Sequence, residues 1–221
     1  MLKIHLEKQD GVFYERRMKL SPRIMDKTFI SQRIEAVFQE SIEVKKQFVE
    51  QNKALLVEVV ACVVNAFKNQ KKLLVFGNGG SACDTQHFVG EFVNRYMHDR
   101  RPLPAIALTA DMSILTSTGN DYGYDYVFER QIRALGTPGD IAIGISTSGK
   151  SKNVILALSA AKSLGLETMG LTGSDGGEVG KMVDYHINVS KGKTPRVQET
   201  HIVVLHLIAE MVDRLLFDLP C

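Results

Sequence analysis

His87 and Glu91 stand four positions apart in GNGGSACDTQHFVGEF, so on a helix their side chains share one face. A carboxylate beside an imidazole can move protons, and both groups can ligate a metal ion. Near the other end of the chain, RVQETHIVVLH supplies Gln198, His201 and His206. His87, Glu91, Gln198 and His206 together suit a zinc-type ion. Single histidines on apolar helices are usually satisfied core residues, and spacing alone does not decide. Gln198 and His206 lie eight apart, which on one ideal helix means about 12 Å along the axis and about 80° around it. Either Gln198 precedes the regular helix, or different subunits complete different parts of a site. Asp84, Thr85 and His201 stand nearby and are given no role.

Two further stretches could hold an anion. GNGGSA, residues 77–82, follows the apolar run LLVF and precedes a helical pattern; STSGKS, residues 146–151, follows DIAIGI. Backbone N–H groups at a helix N-terminus point outward together, and the helix dipole adds roughly half a positive charge there. Ser146, Thr147, Ser148 and Ser151 add hydroxyls at the same mouth. Capping of the next helix would account for one of these hydroxyls, not four. Such a set suits one terminal phosphate better than a polyphosphate with magnesium.

Both stretches also match nucleotide motifs. GISTSGKS, residues 144–151, has the letters of a P-loop, but Gly144 falls inside the apolar run instead of after it. An apolar strand ending directly in a magnesium-binding Asp is also missing. GNGGSA fits a dinucleotide fingerprint, yet the next apolar run ends at Asp111, some thirty residues on where about 20 are expected. No nucleotide cofactor is expected.

The elements that must position these groups follow from periodicity. From about Lys27 to Gln70 apolar residues recur at helical spacing with no Gly or Pro, which predicts one or two helices. The stretch Ala54 to Phe67 is apolar over more than one face, as a subunit interface or a covered core helix would be. After Lys72, short apolar runs at 73–77, 104–109, 140–146, 167–173 and 184–190 alternate with helical patterns at 81–97, 124–135, 151–164 and 197–217. That alternation predicts a parallel sheet with helices on both faces. In such a fold ligands collect where strands give way to helices at their carboxyl ends. Both Gly- and Ser-rich loops sit there.

Composition bounds the rest. The chain has 221 residues, 44% apolar and 24% charged, with a net charge of +2. This is a globular profile without the electrostatic footprint of a nucleic-acid binder. The densest basic cluster (Arg95, Arg100, Arg101) is interrupted by Asp99 and reads as solvated surface. Cys62, Cys83 and Cys221 are odd in number and lack a C-x-x-C, so neither a disulfide framework nor a thiolate metal site is indicated. No run approaches the ~20 apolar residues of a membrane span, and the first twenty residues lack a signal-peptide apolar block. A cytoplasmic home is expected. Residues 1–22 form a polar extension ending at Ser21-Pro22.

These residues together resemble the SIS (sugar isomerase) family. The matching stretches are GNGGSACDTQHFVGEFVNRY (77–96), GND (119–121), GDIAIGISTSGKSKNV (139–154), LTGSDGG (171–177) and RVQETHIVVLH (196–206), in that order. The similarity runs over about residues 33–217. It implies a doubly wound, mostly parallel five-stranded sheet of flavodoxin-like order with an added N-terminal helical segment. Residues 26–221 would be a single SIS domain and residues 1–25 an extension outside it. The likeness is to the branch that converts sedoheptulose 7-phosphate to D-glycero-D-manno-heptose 7-phosphate, toward the heptose of bacterial lipopolysaccharide.

By that resemblance, Asn78, Gly79, Gly80, Asn120, Asp121 and Gln198 contact substrate, and Ser146, Thr147, Ser148 and Ser151 bind its phosphate. Glu91 matches the family's base and His206 its partner acid. His87, Glu91, Gln198 and His206 match the zinc ligands of members that carry zinc. The resemblance further implies a homotetramer acting on a small sugar phosphate, with no nucleic acid or membrane partner. The chemistry agrees, because aldose–ketose isomerisation needs a carboxylate base beside the carbon and an acid for the neighbouring oxygens. The same family holds a non-catalytic member that binds the bacterial replication initiator. That member lacks Glu and His at the base and acid positions, so the enzyme is favoured here. A phosphosugar sensor is a third reading; it would bind without turnover.

Overall fold

The computed structural model describes residues 5–9, 12–16 and 26–218. Ser21-Pro22, read as the end of the extension, and Cys221 lie outside them. The chain divides into two compact units, residues 1–39 and 40–221. The first contains an antiparallel pair of strands that the periodicity does not predict, β1 (His5–Gln9) and β2 (Val12–Arg16), with Gln9 opposite Val12. It also contains the opening turns of α1 (Lys27–Lys68), where Phe29, Ile30, Ile34 and Phe38 are exposed. The predicted one or two helices are thus a single helix of 42 residues.

The second unit carries the sheet. In chain order come β3 (Leu73–Gly77), α2 (Gly80–Val93), β4 (Ala105–Ala107), α3 (Met112–Asp121), a 3₁₀ turn (Tyr124–Tyr126) and α4 (Glu129–Leu135). Then follow β5 (Ile141–Ser146), α5 (Lys152–Ser163), β6 (Glu167–Gly173), α6 (Val179–Met182), β7 (Tyr185–Val189) and α7 (Thr194–Phe217). Five strands pair in the order β4-β3-β5-β6-β7, all parallel. Numbered within the sheet this is 2-1-3-4-5, the flavodoxin-like order. The strand order reverses between β3 and β5, so that crevice is the switch point where ligands bind in such sheets.

Strand periodicity sorts the core. Leu73, Val75, Ile141, Ile143, Met169 and Ile187 point to one face and pack with Val59, Val63, Phe88, Phe92, Val204 and Ile208 of α1, α2 and α7. Leu74, Phe76 and Ala142 point to the other and pack with Phe128, which precedes α4, and with Ile132, Val154 and Leu158 of α4 and α5. Alternate residues of one strand feeding opposite layers is the period of two. Because both faces are covered, β3 and β5 read as unbroken apolar runs.

Helix α3 is not among the predicted elements. Its N-cap is Asp111, whose carboxylate accepts from the Ile114 N–H at 3.0 Å. That is the acid a dinucleotide site would have needed for its ribose. Arg100 corrects a second expectation: it is not a solvated surface group. Its side chain is buried, pairs with Asp213 of α7 at 2.9 Å, and donates to the carbonyls of Glu91, Phe92 and Asn94. The last carbonyls of α2 have no partner within the helix, and a guanidinium supplies the missing donors.

Candidate active site

The loop after β3 and the loop after β5 both open at the switch point. Gly79 is the N-cap of α2 with φ 57°, a left-handed conformation that favours glycine. A Cβ on Gly80 would lie 2.5 Å from Nε2 of Gln198. Gln198 therefore stands directly against the first loop. Asn78 exchanges hydrogen bonds with Asn153 of α5, both at 2.9 Å, and Tyr124 donates its hydroxyl to Asn78 Oδ1 at 3.0 Å. The 3₁₀ turn after α3 is thereby linked to the loop. Asn120 and Asp121, at the end of α3, are exposed and bond to each other at 2.8 Å.

In the second loop Ser146 is buried and its hydroxyl lies 2.9 Å from that of Ser151 and 3.5 Å from that of Ser148. Ser151 is the N-cap residue of α5, yet its side chain makes no capping bond. Simple capping is thus not its use. Gly144 lies inside β5, paired with Gly170, which disagrees with a P-loop. Thr147 is half-buried and Ser148 exposed, so the hydroxyls line the loop from floor to rim.

The third part of the site lies between α2 and α7. His87 Nε2 is 3.0 Å from Glu91 Oε1 and 3.3 Å from Nε2 of His206. Ligand atoms of all three side chains lie within 4.8 Å of one another. A single N–H on His87 cannot serve both neighbours, so the three electron-rich atoms converge as they would on a shared cation. Donors about 3.3 Å apart are what a tetrahedral ion with bonds near 2.0–2.1 Å imposes, and two imidazoles with a carboxylate suit zinc. Asp84 adds to this fit. One of its carboxylate oxygens is buried without a hydrogen-bond partner, and burial raises its pKa against the pull of His87 and His206. Asp84 is half-buried and near enough to both histidines for their charge to act on it, which adds negative potential at the place where a cation would sit.

Helix α7 is continuous from Thr194, so Gln198 lies inside it and does not precede it. The structure brings His87, Glu91 and His206 together and sets Gln198 against Gly80. Tyr96 stacks near His206 with ring centroids 5.7 Å apart. Asn153, Tyr124 and Tyr96 are absent from the sequence expectations. Asn153 left one signal, a polar side chain on the first turn of a helix beside a loop of hydroxyls. Its pairing with Asn78, 75 positions away, did not show.

Comparison with known proteins identifies the family. The sequence model of a family described as SIS domain matches residues 37–173. A phosphoheptose isomerase of Geotalea daltonii is 55% identical over 159 residues, covering 72% of this chain and 83% of its own. One of Aquifex aeolicus is 48% identical over 187 residues, covering 85% and 98%. The solved phosphoheptose isomerase of Neisseria gonorrhoeae superposes with a TM-score of 0.78 at 42% identity, over 83% of this chain and 98% of its own. The chain belongs to the SIS-domain family, on its phosphoheptose isomerase branch.

Proposed function

We propose that this chain is an aldose–ketose isomerase that converts sedoheptulose 7-phosphate to D-glycero-D-manno-heptose 7-phosphate. The observation that carries the reading is Glu91 and His206 meeting at His87, beside two anion-type loops at the switch point. Ser146, Thr147, Ser148 and Ser151 hold the phosphate, aided by the N-terminus of α5. Asn78, Gly79, Gly80, Asn120, Asp121 and Gln198 hold the sugar chain. Glu91 takes the C1 proton of the ketose and returns it to C2 of the enediol. His206 moves protons at the neighbouring oxygens, and each residue contributes on the order of 10²–10⁴-fold.

His87, Glu91 and His206, with Gln198, are the residues that would hold zinc, which when bound polarises the carbonyl. Residues 26–221 act as one SIS domain in this reading, with 1–25 outside it. Val57 and Leu215 are exposed on α1 and α7 beside Val49 and Leu207, an apolar surface that supports assembly as a homotetramer. The continuity of α7 favours a site completed across subunits. No helix among the described residues is long and apolar enough to cross a membrane. We place the protein in the cytoplasm, supplying heptose for lipopolysaccharide.

The test is to incubate the purified protein with sedoheptulose 7-phosphate, with Glu91→Gln alongside. Aldose phosphate that forms with the native protein and not with the variant supports the isomerase and its base. No turnover, with or without added zinc, would overturn the reading in favour of a non-catalytic SIS protein.

A further inference from the structure

Beneath the hydroxyl loop lies a second turn, residues 173–180, on which it rests. The Gly149 carbonyl accepts from the N–H groups of Glu178 and Val179, at 2.9 and 3.0 Å. Gly149 has φ +62°, and a Cβ there would collide with the Gly176 carbonyl. A Cβ on Gly173 would meet the Thr147 carbonyl at 2.8 Å. The two turns therefore touch backbone to backbone and are hydrogen-bonded there.

The lower turn is itself held up by one ring. His186 of β7 lies under it so closely that a Cβ on either Gly176 or Gly180 would collide with the imidazole. His186 Nε2 is 2.7 Å from the Thr172 hydroxyl, and that hydroxyl donates to Asn188 Oδ1 at 3.0 Å. Its only proton is thus committed to Asn188, so it accepts from His186 Nε2–H, which fixes the tautomer. Asn188 in turn donates to the Ser174 carbonyl at 3.1 Å. The chain of bonds runs from β7, through Thr172 at the end of β6, into the turn that supports Gly149.

We propose that His186 and Asn188 are positioning residues for phosphate binding. They act by holding the 173–180 turn at the height that aims the 146–151 loop at its anion. The proposal rests on the reading of that loop as the phosphate site. Edge strand β7, which lies three places from β3 in the sheet, is thereby given a use.

The experiment compares native protein with His186→Ala, His186→Gln and Asn188→Ala in two readouts. The first is the protection of the fold by inorganic phosphate, read as a shift in Tm. The second is steady-state kinetics with sedoheptulose 7-phosphate. Loosening a hydrogen bond to a charged phosphate corresponds to about a tenfold loss of affinity. We expect His186→Ala and Asn188→Ala each to raise KM and the phosphate concentration for half-protection by about tenfold, with kcat within about twofold. His186→Gln, which keeps an N–H for Thr172, restores most of the loss. Folded variants with native KM and native phosphate protection would overturn the proposal, as would a fall in kcat at unchanged KM. If His186→Ala does not fold, Asn188→Ala decides by the same criteria. Phosphate protection is read without turnover: native protein that binds phosphate but does not isomerise sinks the enzyme and leaves this inference standing. Native protein that phosphate does not protect sinks the phosphate loop and this inference with it.

Discussion

The loops after β3 and β5 lie on adjacent strands, and each leads into a helix, but they are fixed by different means. The first is held by side chains from elsewhere: Asn153 and Tyr124 on Asn78, Gln198 behind Gly80. The second is held by backbone, with Gly149 bonded to the N–H groups of Glu178 and Val179. Titratable groups cluster at α2 and α7, beyond the first loop, whereas the second loop offers hydroxyls. A phosphate has one fixed shape, which a rigid backbone can match. A sugar whose carbons change hybridisation is better met by side chains that can adjust.

The largest effect expected from this division is on chemistry alone. Glu91→Gln should lower kcat by on the order of 10²–10⁴-fold while competitive inhibition by inorganic phosphate stays unchanged. Loss of both together would mean that the two regions do not work separately.

His201 links them, since it sits on α7 and bonds by Nε2 to the Thr172 carbonyl at 2.9 Å. It is fully buried, and burial pushes its pKa down to about 4 from 6.5. The unfolded chain therefore takes up this proton first as pH falls. The stability from neutral His201 is present above about 6.5 and is lost progressively toward pH 4, by roughly 3 kcal/mol in all. Urea unfolding at a series of pH values should show that loss, and His201→Gln should flatten its part of the profile. An equal slope in the variant would remove His201 as the cause.

Two alanine substitutions probe how each loop is held. Gly149→Ala places a side chain at positive φ against an immobile carbonyl, and should cost about 1–3 kcal/mol of stability. Gly80→Ala meets only the tip of the Gln198 side chain, so stability should change by less than about 1 kcal/mol while kcat/KM falls. Equal destabilisation by the two would end the contrast. The smallest effect is expected of Ser151→Ala. Its hydroxyl caps nothing but shares a hydrogen bond with buried Ser146, so stability should fall by no more than about 1 kcal/mol while KM rises about tenfold, the worth of one hydrogen bond to a charged group.

Much of this arrangement was legible in the sequence. The run 73–77 coincides with β3, because a strand buried on both faces needs unbroken apolar residues, and 167–173 coincides with β6 although Thr168 and Thr172 interrupt its apolar residues. Helix α3 was not legible, since MSILTSTGND is short, has only Met112, Ile114 and Leu115 as large apolar residues, and its start depends on the Asp111 cap. Arg100 misled for a related reason. An Arg within a charged cluster looks solvated until the end of α2 and Asp213 close around it.

By itself the sequence determined the alternation of strands and helices, the two loops at strand ends, and the four-residue spacing that puts His87 and Glu91 on one helical face. These are local properties, set by side-chain periodicity and backbone freedom over a few residues. Only the tertiary structure decided that His206, 119 positions away, faces His87, that Asn153 pairs with Asn78, and that His186 lies beneath Gly176. Such contacts depend on strand order and helix packing, which bring distant residues together at the switch point and leave no mark in the spacing of either partner.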